Sequence, residues 1–252
     1  MDATAAYLDA WQLTPDAPPV VTRSSEVTFV RTADGTPAVL KLARVLEEQR
    51  GNALMAWWSD ASPAGPGVTA SARVLQHLGP AVLLERAGGP RSLTELAGRD
   101  DDAATRVLAE TALRLHTAPD DKVQLVPLRR WFRDLLQGSD HRLTAARETA
   151  LRLLDDPWDE VVLHGDIHHG NVLDFGDDAG PVWKAIDPKA LIGESGFDYA
   201  NLLCNPHGSF AANHEPARLA RRVEVVASVT GMPAERIRDW HTAWHALSAL
   251  WG

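Results

Sequence analysis

Apolar and polar residues alternate over Val27-Thr28-Phe29-Val30-Arg31 and again over Ala38-Val39-Leu40-Lys41-Leu42, with Asp34-Gly35 between the two runs. Alternation of period two marks strands, and Asp-Gly is a strong hairpin signal, so the pattern predicts an antiparallel pair. From Val45 to Trp58 the period lengthens: Leu46, Leu54, Trp57 and Trp58 carry helical spacing, which predicts a helix. A Pro- and Gly-rich loop from Ser59 to Gly67 follows, then two short apolar runs, Ala72 to Gln76 and Val82 to Glu85, joined by the turn Gly79-Pro80. Arg86-Ala87-Gly88-Gly89-Pro90 breaks the pattern.

Beyond that break the chain reads as helical. Ser92-Leu93-Thr94-Glu95 is a capping box, which satisfies the free amides of a helix start. Asp100 to Thr117 places Val107, Leu108, Leu113 and Leu115 on a broad apolar face, and Leu143 to Leu154 repeats the arrangement. Two closing helices are predicted over Arg218 to Val229 and Pro233 to Trp251, the second with Pro in its first turn. Trp240, Trp244, Leu247 and Trp251 follow helical spacing and are expected in the core. One hairpin interrupts the helices: Asn171 to Phe175, a turn Gly176 to Gly180, then Val182 to Ile186. Strands first and helices after imply an α+β fold.

The chemistry clusters around that hairpin, in His164-Gly165-Asp166-Ile167-His168-His169-Gly170-Asn171 and Ile186-Asp187-Pro188. Transfer of a γ-phosphoryl group to a hydroxyl needs a carboxylate at the hydroxyl proton and oxygen ligands that hold Mg²⁺ against the phosphates. Asp166 precedes Asn171 by the interval of the H-R-D-x-x-x-x-N loop of protein kinases, and the hairpin returns Asp187 beside Asn171, where the Asp of D-F-G would stand. Asp166 is thus the candidate catalytic carboxylate, and Asn171 and Asp187 the candidate metal ligands. Taken singly, each tripeptide is also compatible with an ordinary loop or strand end. His164, His168 and His169 raise a zinc-hydrolase alternative, but such loops usually alternate as H-x-H-x-D-H, which this one does not. Lys41, one of only four lysines, lies in an apolar strand as does the phosphate-binding Lys of V-A-I-K; an edge-strand lysine for solubility is the plainer reading.

Together, Leu163 to Leu173, Ile186-Asp187-Pro188-Lys189, Gly193-Glu194 and Phe197 to Leu203 resemble the aminoglycoside phosphotransferase family, and within it the streptomycin 6-kinase and hydroxyurea kinase group. The resemblance covers nearly the whole chain from about Ser24. It implies a protein-kinase-like two-lobed fold, with a small antiparallel-sheet N-lobe (1–86, nucleotide-binding) and a larger, mostly helical C-lobe (87–252, catalytic and substrate-binding). It implies ATP and Mg²⁺ as cofactors, and phosphorylation of a small-molecule hydroxyl: an aminoglycoside such as streptomycin, or alternatively hydroxyurea, a sugar or an amino alcohol. Glu48 is the implied partner of Lys41, with Glu47 its competitor. Backbone groups of Glu85 and Ala87 are the implied adenine contacts at an interlobe hinge. His164 resembles the catalytic-loop His that holds backbone, and Asp198 the helix-capping Asp that braces the loop. A glycine-rich phosphate loop is absent, and Ser24 and Ser25 stand in its place, with amides and hydroxyls to do the same work; ATP or GTP is left open. The family continues with further helix where this chain ends on Trp251-Gly252, so part of the substrate wall is expected to be missing.

Charge narrows the partners. A net charge of −9 argues against nucleic acid and favours a cationic small-molecule substrate, drawn to an acidic cleft. Glu194 is the candidate substrate carboxylate because it follows Asp187 closely; Glu215, Glu224 and Asp239 are further carboxylates on the closing helices. A single cysteine, Cys204, excludes an internal disulfide and fits a reducing compartment. No secretory signal and no membrane-length apolar run is visible, so a cytoplasmic protein with no membrane partner is expected; oligomeric state is not legible.

Overall fold

The computed structural model describes residues 3–60, 70–206 and 215–251, so most of the predicted loop from Ser59 to Gly67 lies outside the described residues. The chain opens with helix α1 (Ala3–Ala10) and the short strands β1 (Thr14–Pro15) and β2 (Val20–Val21), none of which the hydrophobic pattern announced. The predicted hairpin is β3 (Ser25–Arg31) and β4 (Pro37–Ala43), antiparallel, with Val27 opposite Lys41. Helix α2 (Leu46–Asp60) follows, then β5 (Val74–Leu78) and β6 (Ala81–Glu85). The sheet runs β1-β3-β4-β6-β5, with β2 also on β3.

Period-two alternation assigns each face of this sheet. Ala38, Leu40 and Leu42 of β4 join Val30, Ala81 and Leu83 in a buried cluster, against which Tyr7 and Leu8 of α1 pack, together with Trp11 just beyond it. Lys41 is out of phase with that set, so it lies on the other face, the side of α2. Met55 of α2 packs on Val82 and Leu84 of that face, while Leu54 and Trp58 belong to the core of the helical part. The helix is thus a wedge between sheet and helices.

The remainder is α3 (Leu93–Arg99), α4 (Asp101–Leu115), β7 (Val126–Pro127), α5 (Leu128–Trp131), α6 (Arg133–Gln137), α7 (Thr144–Asp155), β8 (Val161–Leu163), β9 (Val172–Asp174), β10 (Trp183–Ala185), β11 (Leu191–Gly193), α8 (Gly196–Leu203), α9 (Pro216–Thr230) and α10 (Ala234–Ser248). Ser92 caps α3, as the capping box requires, and Asp100 caps α4 by accepting from the Ala103 amide at 2.9 Å. The predicted hairpin is β9–β10, with Val172 opposite Ala185. β11 pairs antiparallel with β8 and parallel with β7, which sequence periodicity in three-residue segments could not reveal. Four rings, Phe132, Phe197, Trp240 and Trp244, meet edge to face at 5.2–6.1 Å and fill one core. Trp251 departs from expectation: α10 ends at Ser248, helical phase is lost, and Trp251 remains 48 % exposed. Arg222, fully buried, donates to the carbonyls of Leu202, Leu203 and Asn205 and so caps the C-terminal end of α8. No helix among the described residues is long and apolar enough to cross a membrane.

Gly51 shows how tightly α2 is seated. A Cβ there would lie 2.2 Å from the Pro188 carbonyl oxygen. Alanine gains about 1 kcal/mol of helix propensity over glycine, but a clash with fixed backbone costs about 1–3 kcal/mol and dominates. Gly51→Ala is expected to lower stability in urea denaturation, whereas Gly98→Ala in α3, with nothing within 4 Å of its Cβ position, should raise it by roughly 0.5 kcal/mol.

Candidate active site

Strand β8 delivers the loop at His164, and a buried carboxylate fixes it. Asp198, in the first turn of α8, accepts the His164 amide at 2.9 Å and the Gly165 amide at 2.7 Å, while His116 Nε2 lies 3.0 Å away. Burial alone would raise its pKa, but the His116 bond and the amide donors hold it below the usual carboxylate value. Asp198 does not cap its own helix; it braces the loop through these amides, a correction to the helix-capping expectation. Gly165 adopts φ +82°, a conformation open to glycine, and this turn sends Asp166 outward.

His164 is wholly buried, its Nε2 2.9 Å from the Ile186 carbonyl and its Nδ1 accepting the Asp166 amide. Both ring nitrogens are occupied by backbone, and burial lowers its pKa, so it is a neutral spacer between loop and hairpin. His169 is buried and burial lowers its pKa to about 3, and among the described residues no group of three or more His, Cys, Asp or Glu could hold a metal by itself. The histidine cluster therefore offers no zinc site.

Asn171 donates from Nδ2 to the Asp166 backbone carbonyl at 2.9 Å, so its Oδ1 is the acceptor end of the amide. Its own carbonyl accepts the Ile186 amide at 2.9 Å, so the hairpin does bring Asp187 back beside it. Asp187 sits at φ +65°, unusual for a residue with a side chain, and its carboxylate is bonded by Lys41. Burial works to raise its pKa, and the Lys41 ammonium overcomes this and lowers it. Lys41 also bonds Glu48, which resolves the choice between neighbours: Glu48 is 4 % exposed and faces Lys41, while Glu47 lies 3.2 Å from Lys189. Lys189 bonds Glu48 as well, at 3.2 Å, a role the sequence does not assign to it although it is one of four lysines and stands two residues after Asp187.

Asp166 itself opens onto a cavity of about 550 Å³. Asn201 Nδ2 approaches its Oδ1 at 3.4 Å, and desolvation pushes its pKa up to about 6. Trp131, Trp244 and Trp251 form one wall, with the Trp251 ring 5.5 and 5.7 Å from the other two and its Nε1 bonded to Asp134 at 3.1 Å. The cavity is not acidic, contrary to expectation: Arg50, Arg130, Arg133 and Lys189 line it beside Glu47, Asp134 and Asp166. The net negative charge resides elsewhere.

Glu194 is the clearest correction. It is 2 % exposed and turned away from the cavity, accepting two bonds from Arg236, at 2.5 and 2.6 Å, one from Trp240 Nε1 at 2.7 Å and one from the Trp158 amide at 3.1 Å. With its lone pairs spent on these donors, it has none left for a substrate. Glu215 caps α9, Glu224 pairs with Arg238 and Asp239 with Arg152, all away from the site. Ser25 is likewise buried, its amide given to Thr22 Oγ1 at 3.0 Å, which leaves Ser24 as the more open of the two serines. Glu85 ends β6, its amide bonded to the Arg73 carbonyl at 2.9 Å and its carboxylate to Lys184 at 2.6 Å, so only its carbonyl side and Ala87 remain for a ligand. Arg91, bonded to buried Asp174 at 3.1 Å, ties this segment to the β9–β10 hairpin.

Residues 10–252 match the family model for aminoglycoside/hydroxyurea antibiotic resistance kinases. The chain is 41% identical to a streptomycin 3''-kinase of Klebsiella pneumoniae, over 97% of this chain and 90% of the relative, and 32% identical to a hydroxyurea phosphotransferase of Kitasatospora aureofaciens, over 98% and 71%. Among solved structures, the fold is similar to aminoglycoside phosphotransferase APH(3'')-Id from Streptomyces rimosus in complex with ADP and streptomycin, at a TM-score of 0.60 and 20% identity, covering 98% of this chain and 99% of that one.

The raised pKa of Asp166 carries a stability consequence with a definite sign. The folded state binds this proton more tightly than the unfolded state does, so stability is greatest below pH 4 for this group and is lost as pH rises toward about 6. Asp166→Asn removes the buried charge. It is expected to raise stability at pH 7.5 by about 1–2 kcal/mol, a value reduced because the carboxylate keeps part of its hydration, and thermal unfolding at pH 7.5 and pH 4 would measure the difference.

Proposed function

The chain belongs to the aminoglycoside/hydroxyurea antibiotic resistance kinase family, and we propose that it transfers the γ-phosphoryl group of ATP to a hydroxyl of a streptomycin-like aminoglycoside. It is a small-molecule kinase; the acceptor, the nucleotide, the metal and the residue roles are our reading. In that reading 1–86 forms the nucleotide-binding lobe and 87–252 the catalytic one. The observation that carries it is the position of Asp166 on the cavity wall, with Asn171 fastened to its backbone and Asp187 held by the Lys41–Glu48 pair behind.

The donor set fits Mg·ATP. Mg²⁺ with a nucleotide takes few protein ligands, one carboxylate and one amide oxygen among phosphates and waters, which agrees with a site lacking a multi-carboxylate cage. Asn171 and Asp187 would hold the ion. When bound, the ion would supply charge neutralisation for the phosphate oxygens as negative charge develops on the leaving group. Lys41 clamps the phosphates as an ammonium, oriented by Glu48. Ser24 and the backbone groups of Glu85 and Ala87 would contact the nucleotide in this reading. Asp166 takes the proton of the acceptor hydroxyl and aligns its oxygen for in-line attack. His164 and Asp198 keep the loop still. The tryptophan wall offers flat apolar faces to a sugar or guanidinium group, and Asp134, beside Trp251, offers it a counter-charge. Relatives that act on streptomycin and on hydroxyurea differ greatly in acceptor size, and a cavity of about 550 Å³ suits the larger one.

Release of ADP from Mg·ATP against streptomycin, other aminoglycosides, hydroxyurea and simple alcohols tests this reading. Turnover with streptomycin-like compounds is expected; turnover with hydroxyurea alone, or with none, would sink it. Asp166→Asn should reduce kcat by about 10²–10⁴-fold while nucleotide still binds, whereas Asp187→Asn should also weaken Mg·ATP binding. Since Asp166 is ionised only above its pKa of about 6, kcat/KM is expected to fall by about tenfold per unit as pH drops below that point. Trp251→Ala should raise KM for streptomycin several-fold and leave KM for ATP alone, as initial-rate measurements would report.

A further inference from the structure

Two ammonium groups link three carboxylates, Glu47, Glu48 and Asp187, where helix α2 meets the loop after β10. The pairing is ordered. Lys41 takes Glu48 through Oε2 and Asp187 through Oδ1, while Lys189 takes Glu48 through Oε1 at 3.2 Å and Glu47 through Oε1 at 3.2 Å. The two oxygens of Glu48 are therefore divided between two lysines. Lys189 is itself firmly held: its amide donates to the His164 carbonyl at 2.7 Å, Ala190 follows at φ +53°, and Pro188 abuts Gly51 of α2.

We infer that Lys189 is a positioning residue, which fixes the Glu48 carboxylate and the α2 helix against the catalytic loop so that the Lys41 ammonium is shared with Asp187 and aimed at the phosphates. Without Lys189, one ammonium would have to balance both Glu48 and Asp187. Glu48, with its Oε1 released, would turn bidentate toward Lys41 and draw it to the helix. The tie also crosses from the sheet-bearing half of the chain to the helical half using this chain's own charges. This inference rests on the kinase reading above, but its central test does not require an acceptor.

Affinity for Mg·ATP is measured directly by calorimetry on the full chain, and KM for ATP and acceptor by initial rates, for wild type, Lys189→Met, Lys189→Arg, Glu48→Gln and the Lys189→Met/Glu48→Gln pair. Expected is a loss of Mg·ATP affinity of about tenfold in Lys189→Met and recovery to within about threefold in Lys189→Arg. The double variant should be no worse than Glu48→Gln alone, because both act through one carboxylate. Multiplying effects, an unchanged affinity in Lys189→Met, or a change confined to acceptor KM would overturn the inference. A wild-type chain that does not bind Mg·ATP would instead overturn the kinase reading on which it rests.

Discussion

The Asp198 carboxylate holds the site in place. A fully buried charge is tolerated only when its oxygens are satisfied, and here two backbone amides and a histidine satisfy them. The amides belong to His164 and Gly165, so solvation of one side chain dictates the path of the main chain just before Asp166. That path fixes His164, which in turn accepts the Asp166 amide and bridges to Ile186, one residue before Asp187. Loop and hairpin thus acquire one relative position from a single desolvated group. The arrangement is costly to Asp166, whose carboxylate is desolvated and becomes a weaker acid as a result.

A second set of charges joins the two halves of the chain. α2 contributes Leu54 and Trp58 to the helical core and Met55 to the sheet, which sets its distance from both. Apolar packing of this kind leaves rotation along the helix axis poorly specified. Ion pairs from Glu47 and Glu48 to Lys189, and from Glu48 to Lys41, remove that freedom. Breaking any one buried pair strands its partner, so the network is more valuable for the geometry it selects than for its net contribution to stability.

Much of this was legible in the chain. The β3–β4 hairpin, α2, the capping box at Ser92, the β9–β10 hairpin and the closing helices have strong periodic or turn signals, and the spacing from Asp166 to Asn171 and on to Asp187 is local enough to read directly. What failed was contact between distant segments. Glu194 has the right chain position for the cleft, but its partners Arg236 and Trp240 come from α10, forty-two and forty-six residues on, and turn it inward. Trp251 has the right spacing for the core, but the helix stops short of it. Net charge predicted an acidic cavity, although sequence gives only the sum and not its distribution. Lys189 was visible as a rare lysine, yet its role depends on a helix more than a hundred and forty positions earlier, at Glu48.

The pairing of β7 with β11 has an evolutionary side. It anchors Val126 and Pro127, and the chain that follows through α5 and α6 supplies Arg130, Trp131, Arg133 and Asp134 to the cavity. In the kinase reading, the groups that would handle the proton and the phosphates come from other stretches of sequence, around 41–48 and 164–198. On that reading, substitutions in the short segment after β7 would remodel the acceptor wall while leaving the phosphoryl machinery undisturbed. A lineage built this way can track changes in the compounds it meets by drift in about ten residues, a far smaller mutational target than the scaffold that keeps those residues in place.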